Sequence, residues 1–116
     1  MGRRSKRNPQ TYSLRIHSEA RYNIRHIVNY IAFIEHQPIN ALKVYAAIYD
    51  VIGKIGQNPF AFKECEEIPT VAKIYRRANC YSWSIIYKIL GSEVFVLGVI
   101  HQASKASRIK DLKKRK

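Results

Sequence analysis

Ser82-Trp83-Ser84-Ile85-Ile86-Tyr87-Lys88-Ile89-Leu90-Gly91-Ser92-Glu93-Val94-Phe95-Val96-Leu97-Gly98-Val99-Ile100-His101 reads as two strands joined by a tight turn. Trp83, Ile85, Tyr87 and Ile89 share one face of a strand over about 81–90, with Ser82, Ser84 and Lys88 on the other. This is the period of two of a half-buried strand. Gly91-Ser92 fits a two-residue type II′ hairpin turn. Over 93–101, Phe95, Leu97, Val99 and His101 alternate with Val94, Val96 and Ile100. A strand apolar on both faces is expected to be central. The hairpin supplies one neighbour, and the first strand or an unseen element must supply the other.

Working outward, Tyr12, Leu14 and Ile16 alternate with Ser13, Arg15 and His17, which predicts an opening strand. Ser18 is the expected N-cap of a helix over about 19–35, with Glu19 in the first turn where the helix dipole favours a carboxylate. Ala20, Ile24, Ile27, Val28, Ile31 and Ile34 recur at spacings of three and four and make one face apolar. His36-Gln37-Pro38 breaks that helix, and Pro38 suits the first turn of the next. Ala41, Leu42, Tyr45, Ile48, Tyr49, Ile52 and Ile55 form the second apolar stripe, ended by Gly56 and Asn58-Pro59. The short connection implies an antiparallel helical hairpin. Residues 57–70 read as a loop and 71–78 as a strand. The order is β-α-α-β-β-β, an α+β fold.

A chain of 116 residues suffices for one domain with one modest core. Hydrophobic residues make up 47% of it, too many for a wholly disordered chain. No apolar run reaches the roughly 18 residues of a membrane span. Residues 1–10 lack the apolar stretch of a secretion signal, so a cytoplasmic location and no membrane partner are expected. The net charge is +13: residues 1–10 carry +4, 11–104 only +3, and 105–116 carry +6. This divides the chain into a basic N-terminal tail (1–10), a mildly basic domain (11–104) and a basic C-terminal tail (105–116), in which 105–114 is compatible with a short helix. Basic tails suit a polyanion, because phosphate contacts release counterions. Cys65 and Cys80 have neither CxxC spacing nor a histidine cluster, so reduced thiols are expected and neither metal nor cofactor is.

Several segments together resemble the RelE/ParE toxin superfamily of bacterial type II toxin–antitoxin systems over about residues 11–105. They are the opening strand with Ser18-Glu19-Ala20, the Ala41-x-x-x-Tyr45 helix, Asn58-Pro59 and the basic strand Lys73-Ile74-Tyr75-Arg76-Arg77. The pair Ser84-Ile85-Ile86-Tyr87-Lys88 and Val94-Phe95-Val96-Leu97-Gly98-Val99-Ile100-His101 completes the set. The resemblance implies an antiparallel sheet packed against an N-terminal helical hairpin, and a growth-inhibiting toxin wrapped by a cognate antitoxin, with oligomers formed only through that antitoxin. It also implies one of two targets. RelE-like members cleave mRNA inside the ribosome, and ParE-like members poison DNA gyrase without chemistry of their own. A degenerate, inactive toxin is a third possibility.

The RelE-like reaction, taken as the leading expectation, needs no metal: the ribose 2′-oxygen attacks the adjacent phosphate while the protein stabilises charge and moves a proton. Arginine forks onto phosphate oxygens, and imidazole titrates near neutrality. Arg76 and His101 are therefore the candidate catalytic residues. Lys73, Arg77, Lys105 and Arg108 are the candidate nucleic-acid contacts. Arg76 and Arg77 point to opposite faces of their strand. Against a nuclease stand the loop 57–70, where Lys63 sits amid Glu64, Glu66 and Glu67, and a C-terminus without an aromatic residue.

Overall fold

The computed structural model describes residues 12–115. The N-terminal tail expected at 1–10 lies outside the described residues. Five strands, β1 (Ser13–Ile16), β2 (Lys63–Glu64), β3 (Tyr75–Cys80), β4 (Trp83–Leu90) and β5 (Glu93–His101), form one sheet in the order β1-β5-β4-β3-β2. Helices α1 (Ser18–Asn29) and α2 (Pro38–Gln57) form the expected hairpin against one face. A short helix α3 (Ala106–Asp111), extended by a 3-10 turn at Leu112–Lys114, covers part of the other. β5 is central, as its two-sided apolar pattern requires, with β4 and β1 as its neighbours.

The structure departs from the sequence reading in several details. β1 pairs β5 in parallel, while the other three pairings are antiparallel. The helical hairpin between β1 and the rest of the sheet frees that pair from the antiparallel geometry of a tight turn. The N-cap of α1 is His17, whose Nδ1 accepts the Glu19 N–H (3.0 Å), and not Ser18. The first helix does not run regularly to 35: it passes into a π turn at Tyr30–Ile34, where the Glu35 N–H donates to the Tyr30 carbonyl. The loop 57–70 contains a 3-10 turn at Pro59–Ala61 and the short edge strand β2. The third strand begins at Tyr75 and not at 71, because Thr70 and Lys73 form a turn first. Lys73 has φ 54°, and the Ile74 N–H donates to Thr70 Oγ1 (3.0 Å).

The facing of β5 also differs. A bulge pairs Ile86 with Gly98 but Tyr87 with Val96, so Leu97 is passed over. One extra residue reverses the alternation beyond it. Val94, Val96 and Val99 therefore face the helical hairpin with Ile85, Tyr87 and Ile89. Leu97 and Ile100 face the other side with Ile86, Tyr75, Ile109 and Leu112.

That second cluster draws on the basic C-terminal segment: Ile109 and Leu112 are buried. Arg115 closes the segment by donating to the Leu97 carbonyl (2.6 Å), with Glu19 at 3.7 Å. Gly98 allows this approach, since a β-carbon there would stand 2.8 Å from the Arg115 guanidinium and 3.0 Å from Leu112. Gly91 has φ 59°, which the hairpin turn requires at that position.

Candidate functional site

The two strand arginines serve opposite faces. Arg76 lies on the helix-facing side, since Ala78 and Cys80, at the same parity, join the helix-facing core. Its Nε donates to the Lys73 carbonyl (2.9 Å) and its Nη1 to the Phe62 carbonyl (2.9 Å). The guanidinium sits 5.2 Å from the centre of the Phe60 ring. Carbonyls and a ring face satisfy a cation without neutralising it, so Arg76 and Lys73 together tie the loops around β2 to β3. Beside them the Tyr87 hydroxyl donates to the Pro59 carbonyl, and burial pushes its pKa up. It is a pin and not a proton carrier.

Arg77 faces the other way. Nε donates to Ser84 Oγ (3.0 Å), Nη1 lies 3.3 Å from both Glu67 carboxylate oxygens, and Nη2 donates to the Gln102 carbonyl (3.1 Å). Ser84, fully buried, donates its hydroxyl hydrogen bond to Asn79 Oδ1 (2.7 Å). The Glu67 carboxylate compensates the Arg77 charge, which a partly buried guanidinium needs. Next to it, burial first and then the Glu67 carboxylate push the Cys65 thiol up to about 11, so it stays protonated at neutral pH and is not a nucleophile.

His101 ends β5 opposite Trp83, with the rings edge to face at 5.2 Å. The Ala103 N–H donates to His101 Nδ1 (3.0 Å), so in the neutral ring the proton sits on Nε2. The nitrogen that would act as a base is thus already occupied. Arg108, on α3, lines the same groove as His101, together with His26, Tyr30 and Trp83. Lys105 stands exposed at the N-cap of α3.

The six candidate residues therefore fall into three places. Lys73 and Arg76 form one, and Arg77 is held by Glu67 in the second. His101 and Arg108 share the third, and Lys105 stands at the N-cap of α3, outside that groove's lining. Arg76 stands in the row with Tyr87 and Val96, His101 in the row with Cys80 and Trp83. Four residues along a strand and two strands across give roughly 16 Å between their backbones. The Arg76 guanidinium is held at the Lys73 and Phe62 carbonyls, so the two side chains do not converge on one point. The sequence reading missed His26, Tyr30 and Trp83 as groove residues. Its available signal was the stripe Tyr22, His26, Tyr30 in steps of four on one helix face.

Among the described residues no cluster of histidine, cysteine and carboxylate side chains has the make-up to hold a metal ion. No helix of the described residues is long and apolar enough to cross a membrane.

The sequence profile described as "ParE toxin of type II toxin-antitoxin system, parDE" matches residues 14–106. This chain belongs to that family: it is a type II toxin–antitoxin toxin of the ParE/RelE group. Among curated proteins none matches it. Solved structures that share its fold include the following three. A chromosomal ParDE toxin–antitoxin system from P. aeruginosa is 21% identical with a TM-score of 0.64, covering 78% of this chain and 96% of that one. The toxin–antitoxin complex RelBE2 from Mycobacterium tuberculosis is 17% identical with a TM-score of 0.57, covering 84% and 98%. A mutant of the E. coli toxin RelE in the free state is 14% identical with a TM-score of 0.56, covering 88% and 98%.

Proposed function

We propose that this toxin acts as ParE-like proteins do, by binding DNA gyrase, and carries out no RNA cleavage. The observation that carries this reading is the engagement of its strand arginines. Arg76 is committed to two carbonyls and Arg77 to Glu67 and the Gln102 carbonyl, while the acceptor nitrogen of His101 is already taken by the Ala103 N–H. Phosphodiester cleavage by the 2′-hydroxyl needs a cation and a proton acceptor at one phosphate. A binding toxin needs neither.

Purified toxin is expected to inhibit supercoiling by gyrase, and its induced expression to cause DNA damage while mRNA stays intact. Prompt arrest of translation with cleaved mRNA, and normal supercoiling, would overturn the reading in favour of the RelE-like one.

The cognate antitoxin is the second partner. Phe33, Ile34, Ile39 and Leu42 stand exposed around the helical hairpin, each more than 60% accessible. An apolar patch of this kind suits the apolar face of an amphipathic helix. An acidic segment beyond that helix complements the basic C-terminal end. Co-purification of this chain with the product of the adjacent gene, lost on alteration of Phe33, tests that pairing.

A further inference from the structure

α2 is apolar over more of its circumference than the core uses. Ala41, Val44, Ile48, Ile52 and Ile55 are buried in the helix-facing core. The polar residues Asn40, Lys43, Asp50, Lys54 and Gln57 gather on a second side at helical spacing. Between these sides runs a third stripe, Ile39, Leu42, Ala46, Tyr49 and Gly53, at spacings of three, four, three and four. That is the heptad spacing of a seam between two helices. Ile39 and Leu42 are 71% and 68% exposed, Ala46 and Gly53 are also exposed, and Tyr49 is half-buried. A helix with apolar residues on both its core side and its outer side is built to be covered on both.

The chemistry of the outer seam matches itself. Lys43 and Asp50 flank it on the same side, seven positions apart, and the midpoint between them falls at Ala46-Ala47. Two copies of α2 laid antiparallel about a two-fold axis at that point set Lys43 of each copy opposite Asp50 of the partner subunit. The same axis brings Ala46 against Ala46 of the partner subunit, where small side chains let the backbones approach. Leu42 then meets Tyr49 of the partner subunit, and Ile39 meets Gly53 of the partner subunit. A β-carbon at Gly53 would touch nothing within 4 Å, so an incoming isoleucine has open space to fill. Asp50 lies 3.4 Å from Lys54 with both side chains well exposed, which leaves its carboxylate accessible to a second lysine. Repulsion between copies is also low here, since α2 carries two lysines and one aspartate in a chain of net charge +13.

We infer that α2 pairs antiparallel with α2 of a second copy of this chain when antitoxin is absent. The toxin thus forms a dimer by itself, in addition to the oligomers expected through the antitoxin. Ile39 and Leu42 also belong to the patch proposed for the antitoxin helix, so the two occupants exclude each other and the antitoxin opens the dimer. The seam is short, and the dimer is of the weak, reversible kind formed by interfaces below about 1,200 Å². The inference does not depend on gyrase being the toxin's target.

Sedimentation velocity on the full-length chain, freed of antitoxin, reads the oligomeric state from about 1 to about 200 μM at about 0.15 M salt, where long-range repulsion is screened. The wild type is expected to pass reversibly from monomer to dimer over that range. Ala46→Glu puts a charge at the two-fold axis and should remain monomeric throughout. It alters an exposed helix position, so its thermal midpoint at low concentration should stay within about 2 °C of wild type. Lys43→Asp and Asp50→Lys each set like charges opposite one another and should weaken the dimer about tenfold. An equimolar mixture of these two variants juxtaposes only opposite charges and should dimerise within about twofold of wild type. A wild type that stays monomeric, with Ala46→Glu impaired only in binding the antitoxin, would overturn the inference and assign the seam to the antitoxin alone. Dimerisation of Ala46→Glu at wild-type strength, or a mixture no tighter than its separate components, would overturn it as well.

Discussion

Ile109→Ala tests whether the basic C-terminal segment is part of the folded core. α3 has only six residues, and an isolated helix that short is unstable in water, so docking alone holds it. The docking rests on Ile109 and Leu112, 1% and 3% exposed, packed with Ile86, Leu97 and Ile100. Full burial of two such side chains is worth about 3–6 kcal/mol. Truncating a buried isoleucine to alanine costs about 2–5 kcal/mol. The two figures bound each other, because the variant has an escape. Once the loss exceeds the docking energy, α3 detaches and the rest of the domain survives. We expect a loss of about 3 kcal/mol. With a urea slope of about 1.5 kcal/mol per M, the unfolding midpoint falls by about 2 M. If α3 detaches first, its amides lose exchange protection before the sheet unfolds, and the uncovered apolar face binds a hydrophobic dye. A midpoint shift below about 0.3 M, with α3 amides exchanging freely in the wild type, would refute the reasoning.

Arg77→Ala removes the partner of Glu67 and a donor to buried Ser84, so it should destabilise the fold by about 1–3 kcal/mol, read as a urea midpoint shift. Growth inhibition at a permissive temperature should persist, and a complete loss of toxicity in a folded variant would mark Arg77 as functional instead. Cys65, pushed up to about 11, should react with a thiol reagent at pH 8 more than 100-fold slower in the folded than in the unfolded protein. The folded state holds this proton more tightly than the unfolded one. The associated stability is therefore present below pH 9 and declines as pH rises from about 9 to about 11, which denaturation midpoints across that range will show. Phe33→Glu places a charge in the exposed patch of the hairpin, where it should leave the thermal midpoint within about 2 °C and weaken antitoxin binding at least about tenfold by calorimetry.

Local signals were readable wherever the physics was local. The Gly91-Ser92 turn, Pro38 and most of the two apolar helical stripes follow from the geometry of one element and are present as expected. Trp83–Leu90, read as half-buried, is instead covered on both faces with Ser84 and Ile86 buried, and Ile34, Leu42 and Tyr45 of the stripes stand exposed. The burial of β5 on both faces followed from its composition, since a strand apolar on both sides has no solvated face to offer. These elements, taken as a set, also carried the family resemblance. The charge map located the basic excess near the two ends of the chain.

The rest depended on contacts between residues distant in sequence. Whether β1 would meet β5 in parallel is a matter of where the helical hairpin delivers the chain, which no local period encodes. The bulge that passes over Leu97 arises from matching two twisted strands, and it turns His101 toward Trp83 and the helices. A run of alternating charge and apolar residues such as Ala106–Leu112 is too short to commit itself. The exposed face formed by Ile86, Leu97 and Ile100 makes it a helix by burying Ile109 and Leu112. Arginine identity likewise says nothing of occupancy. Arg76 and Arg77 are adjacent in sequence and held by different loops on opposite faces, while Arg108, marked only by charge, lines the groove of His101 with no ion-pair partner among the described residues. Side-chain chemistry nominated these residues, but partners brought from 10 to 25 positions away settle which guanidinium groups are already engaged.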